Sequence, residues 1–301
     1  MARVPRIRQV WASNLEEEIL LLCELSETYT HIAMDTEFPG VVLRPIGQQA
    51  TTPDAAYCTH RLNADLLKII QLGISLATED GKQPEECTTW QFNFSFSLSS
   101  DMYAQDSIEL LSASGIDFAE HERNGIDVLT FGELIISSGL VLNPRITWVT
   151  FSGGYDFCYL IKVLTAIPLP EQEAEFFEYL HLFFPCLYDL KYLMLSTDRL
   201  YGGLNKVAET LGCERIGNMH QAGSDSLLTL DVYFKMREQV FNGVIDASKN
   251  GVLYTLGMGM KDSVGNLPPS SSPTFTPRKA IAGTDGSNGS GNGTSTLASP
   301  S

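Results

Sequence analysis

Two carboxylates, Asp35 and Glu37, stand two residues apart in the stretch His31-Ile-Ala-Met-Asp-Thr-Glu-Phe-Pro-Gly40. Its apolar character predicts a buried β-strand. Side chains alternate along a strand, so Ile32, Met34, Thr36 and Phe38 share one face and Ala33, Asp35 and Glu37 the other. Ionised carboxylates on one face of a buried strand are costly to desolvate and repel each other. A divalent cation offsets both costs, and all-oxygen ligands suit Mg²⁺ or Mn²⁺ rather than zinc, which prefers Cys and His. Taken alone, the pair also reads as two solvated acids at an exposed strand end.

Three further residues bear on that choice. Asp156 follows an expected strand and the turn Ser152-Gly-Gly, which puts it in the first turn of a helix at the open edge of a sheet, where ligands of α/β folds collect. Asp225 opens the last long helix, and His220 lies five residues earlier on a loop, in His-Gln-Ala-Gly-Ser-Asp. An imidazole beside a metal-held water suits a general base for hydrolysis, because histidine as a residue type titrates near neutrality. Singly, each has a plain structural use: the aspartates complement helix dipoles, and most loop histidines are surface residues.

The elements that must position these groups follow from periodicity. Asn14 and Glu17 resemble a capping box ahead of Leu15, Ile19, Leu22 and Leu25, which predicts an amphipathic helix leading into the acidic strand. Residues 40–63 read as a loop, and Leu66 to Ala77 as a helix tip followed by a buried strand. Trp90, Phe92, Phe94 and Phe96 alternate with polar residues, predicting a half-buried strand with an aromatic packing face. Helices are expected over 107–112 and 131–138, with His121 to Asn124 a polar connection between them. A strand is expected over 146–151, a helix after Asp156 that ends before Pro168 and Pro170, and another over 171–184. A strand over 186–193 carries Asp189, and helices follow over 204–211 and 224–241. Alternating strands and helices indicate an α/β fold.

Bulk properties narrow the field. With 301 residues and 44% hydrophobic content the chain can bury a large core, which favours one domain and a tail. The net charge of -16 repels polyanions, so a nucleic-acid ligand needs local help such as bound cations. The cysteines form no C-x-x-C pair and read as reduced core residues. Residues 1–14 lack the apolar core of a signal peptide, and no apolar run is long enough to span a bilayer, so a soluble, unsecreted protein without a membrane partner is expected. From residue 261 to 301 the composition turns to Ser, Gly, Thr, Asn and Pro, which predicts a disordered low-complexity tail after a folded domain over 1–260.

D-x-E on the first acidic strand, Gly-Tyr-Asp at a helix start and H-x-A-x-x-D at the last helix follow the order of the DEDD exonuclease superfamily, histidine branch. The blocks MDTEFPG, RPIG, DLLKIIQLG, WQFNF, DMYAQDSIELL, FGELIISSGLVL, GYDFCYLIKVL, YDLKYLM and ERIGNMHQAGSDSLLT extend the likeness from about Ile7 to Gly259. Together they resemble the Caf/Pop-type poly(A) deadenylases, the nuclease subunit of the complex built on the Not scaffold. Ser152-Gly-Gly departs from the bulkier polar residue often found there, and the tail has no family counterpart.

The resemblance implies a ribonuclease-H-like mixed sheet flanked by helices on both faces, and a metal-dependent 3′-to-5′ exoribonuclease acting on poly(A) RNA in cytoplasm and nucleus. It implies that Asp35, Glu37, Asp156 and Asp225 hold two divalent cations, whose four positive charges the four carboxylates offset, with His220 as general base. Phe38 and Pro39 are then candidate contacts to the terminal nucleotide. Lys191, Lys206 and Arg215 are candidate phosphate contacts, although solvated surface charge is the commoner use of any one such residue. Partners implied are the Not scaffold and a second deadenylase subunit. Two other readings stay open: a same-fold exonuclease on other RNA or DNA ends, and a nonenzymatic adaptor, which the intact set of five residues disfavours.

Overall fold

The period-two pattern of the acidic stretch becomes the central strand. In the computed structural model, which describes residues 7–44, 46, 55–85 and 87–257, strand β2 spans His31–Glu37. Ile32 and Met34 are fully buried in one core, while Ala33 is buried in a second core on the other side of the sheet. The other strands are β1 (Ile7–Val10), β3 (Gln71–Ala77), β4 (Thr89–Asn93), β5 (Thr147–Thr150) and β6 (Cys186–Asp189). They form one sheet in the order β1-β4-β3-β2-β5-β6. The pairs β2–β3 and β3–β4 are antiparallel, whereas β1–β4, β2–β5 and β5–β6 are parallel. This is the mixed α/β sheet the sequence implied. The described residues belong to one compact unit, and the tail expected over 261–301 lies outside them.

Helices cover both faces. On the Ile32 side the core takes residues from α1 (Leu15–Ser26), α2 (Ala55–Leu66), α5 (Val128–Ser137), α6 (Gly154–Thr165) and α7 (Glu173–Phe183). Aromatic edges lock it: the Phe131 ring meets Phe92 and Phe94 at 5.1 and 5.2 Å, and Phe157 meets Phe184 at 4.8 Å. On the Ala33 side lie α8 (Leu190–Met194), α9 (Leu204–Leu211) and α10 (Ala222–Gln239). A smaller cluster gathers Ile70 and Phe96 with α3 (Gln105–Ala113) and Phe118 of α4 (Phe118–Asn124). No helix among the described residues is long and apolar enough to cross a membrane.

Several local expectations are corrected. Asn14 does not form the capping box: its Oδ1 accepts the Trp11 N–H at 2.8 Å, turning the side chain back toward β1 instead of onto α1. The end of the stretch read as a loop, residues 55–63, belongs to α2. Its buried Asn63 accepts the N–H groups of Val42 and Leu43 and thereby holds the preceding segment. The polar connection at His121–Asn124 is α4, with His121 buried and its Nδ1 2.7 Å from the Phe94 carbonyl. The strand carrying Asp189 ends there and turns directly into α8. β4 is buried on both faces rather than half-buried, because Gln91 and Asn93 on its polar side bond to the side-chain amides of Gln221 and Gln71.

The close packing of α10 on the sheet rests on Gly73. A Cβ there would lie 1.9 Å from the Ala222 carbonyl oxygen. Gly73→Ala is therefore expected to cost about 1–3 kcal/mol, the usual scale of core overpacking. Denaturant unfolding measures it, and a shift under a few tenths of a kcal/mol would show that α10 retreats freely.

Candidate active site

The two strand acids emerge where β2 ends. Asp35 pairs in register with Gly73 and Glu37 with Gln71, so both leave the sheet on the side that α10 crosses. Asp225 in the first turn of α10 comes down onto them. Carboxylate oxygens of Asp35, Glu37 and Asp225 lie within 4.8 Å of one another. Asp156, in the first turn of α6, approaches from the opposite face and is buried. Its Oδ1 accepts the Thr36 N–H at 2.8 Å and the Thr36 hydroxyl at 2.6 Å, and it stands outside the three-residue group.

Neighbouring elements fix these groups by backbone hydrogen bonds. α10 has no side-chain cap from its own Gln221. The sheet supplies one: Ala222 N–H donates to Gln71 Oε1 at 3.2 Å, and Gly223 N–H to Gln91 Oε1 at 2.9 Å. Asp225 Oδ2 accepts the His220 N–H at 2.9 Å, which ties the loop to the acid. His220 sits at φ 59°, a left-handed conformation that few non-glycine residues adopt without such support. Behind Asp156, the buried Asp189 carboxylate accepts the N–H groups of Ser152, Gly153, Lys191 and Tyr254. Those bonds shape the β5–α6 turn, where Ser152 has φ 64°.

Charge is badly balanced. Burial raises the Asp35 carboxyl well above its ordinary range, and the charges of Asp156, Asp225 and Glu37 add to the rise. Glu37 is pushed up to about 8 by burial and then by Asp225 and Asp156. Burial lifts Asp156 to about 6, against the pull of its bonds to Thr36. Arg215 is the counter-charge within the group, with Nη2 2.8 Å from Asp225 Oδ1. Partly buried oxygen donors with a surplus of negative charge fit hard divalent cations such as Mg²⁺ or Mn²⁺.

The remaining candidates separate by environment. The Phe38 ring is half-buried against Tyr155 at 4.9 Å and Tyr159 at 5.1 Å. Pro39 is buried and its carbonyl takes the Ala104 N–H, so it belongs to the packing rather than to open surface. Lys206 pairs with Glu209 on the surface. Sequence reasoning assigned no role to Thr36, Gln71, Gln91 or Asp189. An aspartate at the end of a strand with a helix directly after it was the one available signal, for Asp189.

The raised carboxyl values fix a pH dependence for the metal-free protein. The folded state retains protons that the unfolded chain, with ordinary carboxyl values, has lost, so stability falls as pH rises through that interval. In EDTA the melting temperature is expected to drop by several degrees between pH 5.5 and 8.5, as Asp156 and Glu37 pass through about 6 and about 8. A Tm that is flat or rises over that range in differential scanning calorimetry would contradict the charge balance.

The comparisons agree with this architecture. A family model described as CAF1 family ribonuclease matches residues 10–132 and 138–232. The poly(A) ribonuclease pop2 of Schizosaccharomyces pombe is 50% identical over 256 residues, covering 85% of this chain and 76% of that protein. The solved structure of S. pombe Pop2p in its Mg²⁺- and Mn²⁺-bound form superposes with a TM-score of 0.81 at 50% identity, over 83% of this chain and 100% of the other. A chain from the structure of the yeast NOT1 MIF4G domain co-crystallized with CAF1 matches with a TM-score of 0.70 at 32% identity, over 82% of this chain and 96% of the other.

Proposed function

Because the chain belongs to the CAF1 family of ribonucleases, we propose that it is a poly(A)-specific 3′-to-5′ exoribonuclease, dependent on divalent cations, that shortens mRNA tails and releases 5′-AMP. The observation that carries the reading is the gathering of Asp35, Glu37 and Asp225 within 4.8 Å, with Asp156 behind them and the His220 loop tied to Asp225.

Asp35, Glu37, Asp156 and Asp225 are the residues that would hold two Mg²⁺ or Mn²⁺ ions, which when bound supply charge stabilisation and acidify a water. His220 accepts the proton from that water on a ring nitrogen as the water oxygen bonds to phosphorus and the bond from phosphorus to the 3′ oxygen of the preceding nucleotide breaks. Arg215 holds Asp225 in place and tempers the local negative charge. Phe38, beside Glu37, offers an aromatic edge to the terminal nucleotide. The Mg²⁺- and Mn²⁺-bound state of the S. pombe relative supports the choice of ions. The yeast CAF1 co-crystallized with a NOT1 domain supports a role as the nuclease subunit of a Not-scaffolded assembly. A second deadenylase subunit, and work in both cytoplasm and nucleus, complete the proposal.

The test compares oligoadenylates ending in a 3′ hydroxyl or a 3′ phosphate. The added charge crowds the site of the terminal ribose, so the blocked RNA is expected to resist digestion, and EDTA to stop digestion of the free one. Equal rates on both would overturn the exonuclease reading.

A further inference from the structure

An aromatic and a cation follow directly on β5 and β6, the two strands on one side of β2. β2 and β5 run parallel as far as Ala33 opposite Val149, and Phe151, the residue after β5, packs partly buried against the core on the Ala33 side, the side of Asp35. β5 and β6 pair in parallel as far as Thr150 opposite Asp189, and Lys191 follows in the first turn of α8. The Lys191 ammonium lies 5.6 Å from the Phe151 ring centroid and 5.8 Å from that of Tyr254. It also donates to the Gly202 carbonyl. Unlike Arg215 and Lys206, it pairs with no carboxylate among the described residues.

The opposite flank is different. The groove beyond Gln71 and Asn93 carries Asp117 and Glu120 and, among the described residues, no lysine or arginine. Glu120 there is paired with Arg123, and Arg215, which bonds the lining Ser224, is paired with Asp225, whereas the β5–β6 side offers a partly exposed cation held between two rings. We propose that Phe151 and Lys191 form a subsite for the nucleotides upstream of the scissile bond, Phe151 stacking a base and Lys191 contacting a backbone phosphate. This deepens the ribonuclease reading and rests on it. The pairing fits single-stranded RNA, since stacking on an aromatic plus a backbone cation is how such strands are held without sequence readout.

The test uses the full chain with Mg²⁺, measuring KM and kcat on an adenylate dimer and a 20-mer over a series of KCl concentrations. Lys191→Ala is expected to raise KM on the 20-mer by roughly 2- to 5-fold, the scale of one exposed charged contact, and by less on the dimer. The slope of log KM against log salt should shrink by about 0.7, the value for one lost phosphate contact on a single strand. Lys191→Arg should restore the slope. Phe151→Leu should raise KM on the 20-mer with the wild-type slope, because it removes stacking and no charge. Lys235→Ala, at the other end of α10, sets the baseline for losing any lysine. An unchanged slope in Lys191→Ala, or an equal loss on dimer and 20-mer, overturns the subsite while the wild-type activity upholds the ribonuclease reading. A wild-type chain that cleaves neither RNA overturns both.

Discussion

Asp35→Asn and Glu37→Gln each lower RNA hydrolysis by on the order of 10³-fold or more, while the metal-free protein melts no lower than wild type at pH 8. The two halves of this expectation have one cause. Asp35 and Glu37 are held on the same face at the end of β2, within 4.8 Å of Asp225. Burial and mutual repulsion raise both carboxyls far above their ordinary range. Such a group destabilises the folded state wherever it is ionised, so an isosteric amide relieves strain even as it removes a ligand. A residue conserving structure alone would show the reverse pattern, with stability lost and activity falling in proportion. Activity comes from initial rates on oligoadenylate, and stability from calorimetry in EDTA. Retained activity in both variants would end the metal-site reading.

His220→Asn lowers kcat by roughly 10²- to 10⁴-fold, the range for a lost general base, with KM and cation affinity largely kept. Asparagine is the informative replacement because His220 occupies φ 59°, where alanine would add backbone strain and asparagine is tolerated. The backbone N–H that holds Asp225 at 2.9 Å is unaffected by the substitution, so the acid stays in place. An unchanged kcat would reduce His220 to a loop residue that anchors Asp225 through its backbone.

What the sequence made legible follows the range of the interactions. β2 was readable because alternation over seven residues is a local signal, and both predicted faces recur in the two cores. Asp156 and Asp225 were placed in first helical turns by the turns ahead of them. The polar face of β4 was misread because Gln91 and Asn93 are satisfied by Gln9, Gln71 and Gln221, partners that no window along the chain contains. Asp189 escaped notice for the same reason: three of its four N–H donors come from the β5–α6 turn and from Tyr254, 36 to 65 residues away. β1 is only four residues long and pairs with β4, so its hydrogen bonds rather than its pattern define it. Arg215 read as surface charge, yet its guanidinium spans Asn205, Ser224 and Asp225.

The central claim is that acids gathered at one end of β2 remove nucleotides stepwise from a free 3′ end of poly(A). A time course on RNA labelled at its 5′ end, with a heteropolymeric body and a 20-adenylate tail, tests it most directly. The account predicts a ladder that shortens one nucleotide at a time, releases 5′-AMP and slows where the adenylates end. Internal cuts in the body, or digestion of the body as fast as the tail, would contradict it.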